Sequence, residues 1–288
     1  MIDARILMRK SWFRIIALIL AIIITVTICP DSAKAAGKKI SFKNEYGVFL
    51  SIGPDQMDRF KNYKILVIDV QNDFTKKDIS KLKKQGHIVY SYINVGAIEN
   101  YRDYYTDFED ITLDVYENWP DEKWVDVSQK KWQEFILNKL AKNIIDMGVD
   151  GFFVDNTDVY YNYNRDDIYD GLTRILKGLK KKGKVIINGG DTYVSAYLKK
   201  NKNLKAILDG VNQESVFSRI IDYENDTFGE SEKEDLEYFQ EYLAKVKKNK
   251  KKVYLLEYTK DKKLKKKIKK YCKKKGYSYY ISDSIDLS

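Results

Sequence analysis

Between Tyr46 and Ile281, short apolar, β-rich runs alternate with longer, lysine-rich amphipathic runs. No other feature restricts the fold of this chain as much. Strand-length runs separated by helix-length runs build βα units, which lay parallel strands side by side and cover them with helices. Strands are expected at Tyr46–Ile52, Ile65–Val70, His87–Ile93, Gly151–Val154, Lys184–Asn188, Ala206–Val211, Lys252–Glu257 and Tyr277–Ile281. Eight is the number that closes a parallel barrel. Helices are expected at Lys76–Gln85, Gln129–Met147, Asp166–Lys182, Thr192–Lys200, Glu232–Lys248 and Asp261–Lys275. Gly86, Gly148, Gly183 and Gly276 follow four of them, as helix stops do before a strand. The predicted fold is therefore a single-domain (β/α)8 TIM barrel, with its last helix truncated or absent.

The first 35 residues read differently. Arg5, Arg9, Lys10 and Arg14 precede an apolar run, Ile15 to Ile28, and Ala33-Lys34-Ala35 follows. That is the grammar of a secretory signal. The run is shorter than the ~20 apolar residues a spanning helix prefers, so cleavage after Ala35 is expected. It would leave 36–288 as a secreted domain of barrel size. Cys272 is then the single cysteine, which excludes an internal disulfide and leaves stability to the core. Net charge is +10, and the excess lysine lies in runs such as Lys247–Lys252 and Lys260–Lys270. Such faces suit an anionic cell-wall surface or plain solvation. No nucleic-acid recognition motif accompanies them.

Parallel barrels carry their chemistry at the carboxyl ends of the strands. There this chain places Asp69, Tyr92, Asn94, Asp155, Asn156, Asp158, Asn188, Glu214 and Glu257. The strand Gly151-Phe152-Phe153-Val154 stops abruptly at Asp155-Asn156-Thr157-Asp158. One acid would cap the next helix; two acids with an Asn between them exceed that need. Carboxylates crowded together raise one another's pKa values, giving an acid and a carboxylate side by side, as glycoside hydrolysis requires. Asp155 and Glu214 form the best pair, with Asp69 and Glu257 next. A crowded acidic face also attracts a cationic substrate. Between Asn94 and Val127 lies a long loop rich in Tyr, Asp and Glu, of the kind that is usually functional.

Other chemistries fit poorly. His87 is the single histidine and stands at the start of its strand, the wrong end of a barrel. That removes a Ser-His-Asp triad and a histidine-based metal centre. Cys272 sits on a lysine-rich helix with no histidine near it in sequence, and Gly189-Gly190 lacks the lysine of a phosphate loop. No cofactor and no metal are expected.

These residues also carry a family resemblance. Val67-Ile68-Asp69, Tyr92 to Gly96, Tyr101-Arg102, Trp124-Val125-Asp126, Gly148 to Asp158, Asn188-Gly189, Glu214-Ser215 and Glu257-Tyr258, in this order, resemble the endo-α-1,4-polygalactosaminidase family of glycoside hydrolases. The resemblance runs from about Tyr46 to Tyr258. It implies a TIM barrel that cuts α-1,4-linked galactosamine-rich polysaccharide. It further implies Asp155 and Glu214 as the catalytic pair. Beside that pair, substrate contacts are expected from Asp69, Tyr92, Asn94, Asp126, Asn156, Asn188 and Glu257, with Asp158 expected to meet a substrate ammonium. Gly96-Ala97 stands where the family usually has Gly-Glu, with Glu99 two positions on. Ser215-Val216 replaces a cysteine-bearing segment of the fungal members, which places the chain with the prokaryotic branch. A degenerate barrel that binds carbohydrate at the cell surface without cutting it is the alternative.

Overall fold

The computed structural model describes residues 41–117 and 119–288. The expected leader at 1–35 lies outside them. Eight parallel strands form the barrel in sequence order: β1 (Asn44–Phe49), β2 (Tyr63–Ile68), β3 (Ile88–Asn94), β4 (Gly151–Asp155), β5 (Lys184–Asn188), β6 (Gly210–Glu214), β7 (Lys252–Tyr258) and β8 (Ser278–Ser282). Every neighbouring pair from β1 to β8 is parallel. β8 packs beside β1 without a ladder, so the barrel is nearly closed.

Side chains alternate along each strand, and that alternation makes two layers. Tyr46, Val48, Ile65, Val67, Tyr90, Tyr92, Phe153, Ile186, Tyr254, Leu256 and Tyr258 fill the barrel interior. Leu66, Ile68, Val89, Ile93, Phe152, Val154, Val185, Ile187, Val211, Val253 and Leu255 face the helices. The helix Asp166–Lys182 shows how the outer layer forms. Asp166 and Asp167 start it and Lys180 to Lys182 end it, matching the helix dipole. Its buried residues Ile168, Leu172, Ile175, Leu176 and Leu179 fall on one face. The long helix after Gln129 keeps its expected place. Its middle, Phe135–Leu140, is a π-helical turn, and it stops at Gly148 with φ 98°.

Three differences from the sequence reading matter for the site. β6 is Gly210–Glu214, not Ala206–Val211. The buried Ile207 and Leu208 belong to a turn under the helices, whereas the real strand is mostly polar and gives no apolar signal. The segment from Asn94 to Val127 is not irregular: it holds a three-stranded antiparallel sheet of Ala97–Glu99, Thr112–Tyr116 and Trp119–Val125. The β6–β7 connection carries a hairpin, Ser218–Asp222 with Thr227–Glu230. Beyond β8 there is no helix in 283–288. Leu287 instead turns into the barrel interior, and Arg59 holds the Ser288 carbonyl at 2.6 Å.

Candidate active site

At the carboxyl end of the barrel lies a cavity of about 500 Å³. Asp155 on β4, Asn188 on β5 and Glu214 on β6 each fall at the last, inward-facing position of their strands. Asn188 Nδ2 donates to Asp155 Oδ1 at 3.0 Å and to Glu214 Oε1 at 2.6 Å. One amide nitrogen therefore joins both carboxylates. Its orientation is fixed from below: Asn212 Nδ2 donates to Asn188 Oδ1 at 2.7 Å, and the Tyr46 hydroxyl donates to Asn212 Oδ1 at 3.0 Å. On the other side, the Tyr258 hydroxyl donates to Glu214 Oε2 at 2.6 Å.

Burial is the main electrostatic force on this group. It pushes the Asp155 carboxyl up to about 6; Glu214 adds repulsion, and the Asn188 hydrogen bond opposes both. Burial also raises Glu214, against the hydrogen bonds from Tyr258 and Asn188. Asp158 rises to about 7, chiefly by burial, even though the Gly190 backbone N–H binds both its oxygens at 3.2 and 3.1 Å. Asp69 is raised by burial against the pull of Arg102, whose Nη2 lies 2.9 Å from Asp69 Oδ2.

Most predicted residues converge here: Asp69, Tyr92, Asp155, Asn156, Asp158, Asn188 and Glu214 all line the cavity. Asn94 stands one layer back, where its Oδ1 accepts from Ala97 N and Asn156 Nδ2. Two predictions are corrected. Asp126 is outside the cavity and accepts from Ser128 N, Ser128 Oγ and Gln129 Nε2, tying the turn that starts the next helix. Glu257 points away from the cavity because the inward set of β7 is Tyr254, Leu256 and Tyr258. Its fully buried carboxylate takes Phe217 N, Ser218 N and Ser218 Oγ at 2.8 to 3.2 Å.

The structure adds Tyr258, Glu99, Arg102, Tyr116, Trp119, Glu122 and Tyr223 to the lining. Counting by twos from Tyr254 would have found Tyr258. Trp119 and Tyr223 come from the two insertions, and their rings meet edge to face at 6.0 Å. Glu122 sits on the antiparallel sheet, which no strand pattern announced. His87 lies away from this face, with Nδ1 2.7 Å from the Tyr63 carbonyl and its pKa lowered by burial. Cys272 is buried, and burial holds its thiol up at about 12, an inert state.

A TIM barrel with acids gathered around one amide at its catalytic mouth has the build of a carbohydrate hydrolase. The chain belongs to glycoside-hydrolase family GH114, whose model matches residues 30–285, and it is a glycoside hydrolase. In fold it is similar to the glycoside hydrolase domain of PelA from Pseudomonas aeruginosa. The two are 16% identical, with TM-score 0.70, over 84% of this chain and 95% of that one. It is also similar to Ega3 of Aspergillus fumigatus, solved in complex with galactosamine: 17% identical, TM-score 0.65, over 88% of this chain and 96% of that one. The protein MJ1477 of Methanocaldococcus jannaschii is 31% identical over 121 residues, which is 38% of this chain. That match spans 34% of the length of this curated relative.

Proposed function

We propose that this glycoside hydrolase is exported and cleaves an α-1,4-linked, galactosamine-rich polysaccharide, using Asp155 and Glu214. The observation that carries the reading is the shared Asn188 amide. Because Asp155 and Glu214 both touch the same nitrogen, at 3.0 and 2.6 Å, their near oxygens can be no farther apart than those two contacts laid end to end. That spacing suits a double displacement with retention better than the wider gap an inverting enzyme leaves for water. Asp155 is the nucleophile: Asn188 holds it by one side-chain hydrogen bond, at Oδ1, whereas side chains hold both oxygens of Glu214.

In the first step Asp155 bonds to the anomeric carbon as the glycosidic C–O bond breaks, and Glu214 gives its proton to the departing oxygen. In the second step Glu214 takes a proton from water, the water oxygen bonds to the anomeric carbon, and the Asp155 carboxylate leaves. The galactosamine in the Ega3 structure and the many acids of this cavity support an amino-sugar polymer. The leader pattern of residues 1–35 supports export. The positive outer surface is proposed to rest on anionic wall polymer.

The test is incubation with partially deacetylated galactosamine polymer, mass spectrometry of the fragments, and NMR of the first anomer released. Asp155→Asn and Glu214→Gln are each expected to lower kcat by on the order of 10³-fold or more with the fold intact. Near-full activity of both variants would sink the assignment. Binding by the unaltered protein without new reducing ends would favour a binding-only barrel. Detection of the chain in the culture medium, starting after Ala35, tests export.

A further inference from the structure

Glu99 and Glu122 are direct partners in the antiparallel pairing of Ala97–Glu99 with Trp119–Val125. Both line the cavity. Directly opposed side chains in such a pair have Cβ atoms ~4.5–5.5 Å apart, where like charges repel. A sheet that places two acids this way needs a cation or a proton between them.

The protein supplies too little positive charge. Arg102 Nη2 is 3.2 Å from Glu99 Oε1 and 2.9 Å from Asp69 Oδ2, so one guanidinium already serves two carboxylates. Glu99 is 1% exposed, and its other oxygen, Oε2, is buried with no hydrogen-bond partner. A buried, unpaired carboxylate oxygen is costly. Glu122 is held on one side only: Asn94 Nδ2 and Asn156 Nδ2 both donate to its Oε2 at 3.3 Å. No described residue donates to its Oε1.

We infer that Glu122, backed by Glu99, binds the protonated amine of the substrate sugar beside the cleaved bond. This rests on the amino-sugar reading above and names the residues that select the amine. A primary ammonium fits the site because it brings one positive charge and three N–H donors. A resident metal ion fits less well, since the described residues hold no metal-ligating cluster of three His, Cys, Asp or Glu side chains. An N-acetylated amine and a hydroxyl each bring a single donor and no charge. Either would bring no positive charge and leave the Glu99–Glu122 pair dependent on a retained proton. Burial, with repulsion from Glu99 and Asp155, lifts Glu122 to about 8, so near neutrality the empty site holds a proton that an ammonium would displace.

Calorimetry with the full chain and three monosaccharides, galactosamine, galactose and N-acetylgalactosamine, tests this. The unaltered protein is expected to prefer galactosamine at least tenfold. Glu122→Gln should reduce that preference to about onefold while galactose binding stays within about threefold, and Glu122→Asp should restore part of it. On the polymer, Glu122→Gln should raise KM about tenfold, more than it lowers kcat. At about pH 6.5, where a sugar ammonium is charged, galactosamine binding to the unaltered protein should release a proton. Buffers of different ionisation enthalpy read this without any variant. Full galactosamine preference in Glu122→Gln, or binding with no proton release, overturns the inference even if the polymer is cleaved. If the unaltered protein cleaves a neutral polymer and ignores galactosamine, the amino-sugar reading itself fails.

Discussion

Asn156 and Ser215 follow Asp155 and Glu214 directly, and both adopt left-handed backbone, with φ of 62° and 54°. L-residues rarely adopt it outside sites that require it. Here the turn ends each strand abruptly, leaving its last carboxylate at the cavity rim while the next residue leaves the barrel. Asn156 can make its turn because Gly96 leaves room: a Cβ there would sit 1.8 Å from the Asn156 carbonyl oxygen. At this scale burial raises the Glu214 carboxyl, and the Tyr258 hydrogen bond pulls it part of the way back down. Tyr258→Phe removes that pull. Glu214 should then keep its proton to higher pH, and the alkaline limb of the rate profile should move to higher pH. An unmoved limb would mean that Glu214 is not the acid.

Elements decide which residues were legible. Asp155 could be read from sequence because an apolar strand announces its own end. Glu214 was legible only as a strand-end acid, since Asn212, Gln213 and Glu214 carry no apolar signal and the strand was placed four residues early. Glu257 was misassigned by one position, and in a strand one position is the difference between cavity and helix layer. Glu122 was beyond reach: its partners Asn94 and Asn156 are 28 and 34 residues away, and the antiparallel sheet holding it has irregular register. The element scale also gives Glu257 a purpose. It fastens the start of the β6–β7 hairpin to β7, and Ser218 Oγ in turn accepts from Tyr258 N at 2.9 Å. Glu257→Gln puts an amide N–H against donors, so it should cost ~2 kcal/mol of stability in urea unfolding and lower kcat through a displaced Glu214. Unchanged unfolding would show that Glu257 does not brace the hairpin.

For the whole molecule, the raised carboxyls act together. Asp155, Asp158, Glu122 and Glu257 lie at about 6, 7, 8 and 7 when folded, above ordinary unfolded values near 4. Between those limits the folded chain binds more protons than the unfolded chain, so stability must fall as pH rises. This contribution is complete below about pH 4 and lost in steps up to about pH 8. Thermal unfolding is therefore expected to shift to lower temperature from mildly acidic to mildly alkaline solution. A flat or rising profile over that range would contradict the burial of these acids. The balance reflects the division of charge in the molecule, with lysine outside and acid within the barrel mouth.

Leu287 adds a practical constraint. The residues after β8 run back across the mouth: Ile285, Asp286 and Leu287 line the same cavity as Asp155, and Ile285 N is anchored to Asp226 Oδ1 at 2.8 Å. Any peptide attached after Ser288 would start at the lip of the cleft, next to the stopper of the barrel. An affinity handle or surface linker joined there should crowd incoming polymer and lower turnover on long chains more than on short oligomers. Anchoring the enzyme through the lysine-rich helix Lys262–Lys275, whose lysines are mostly exposed, should spare both.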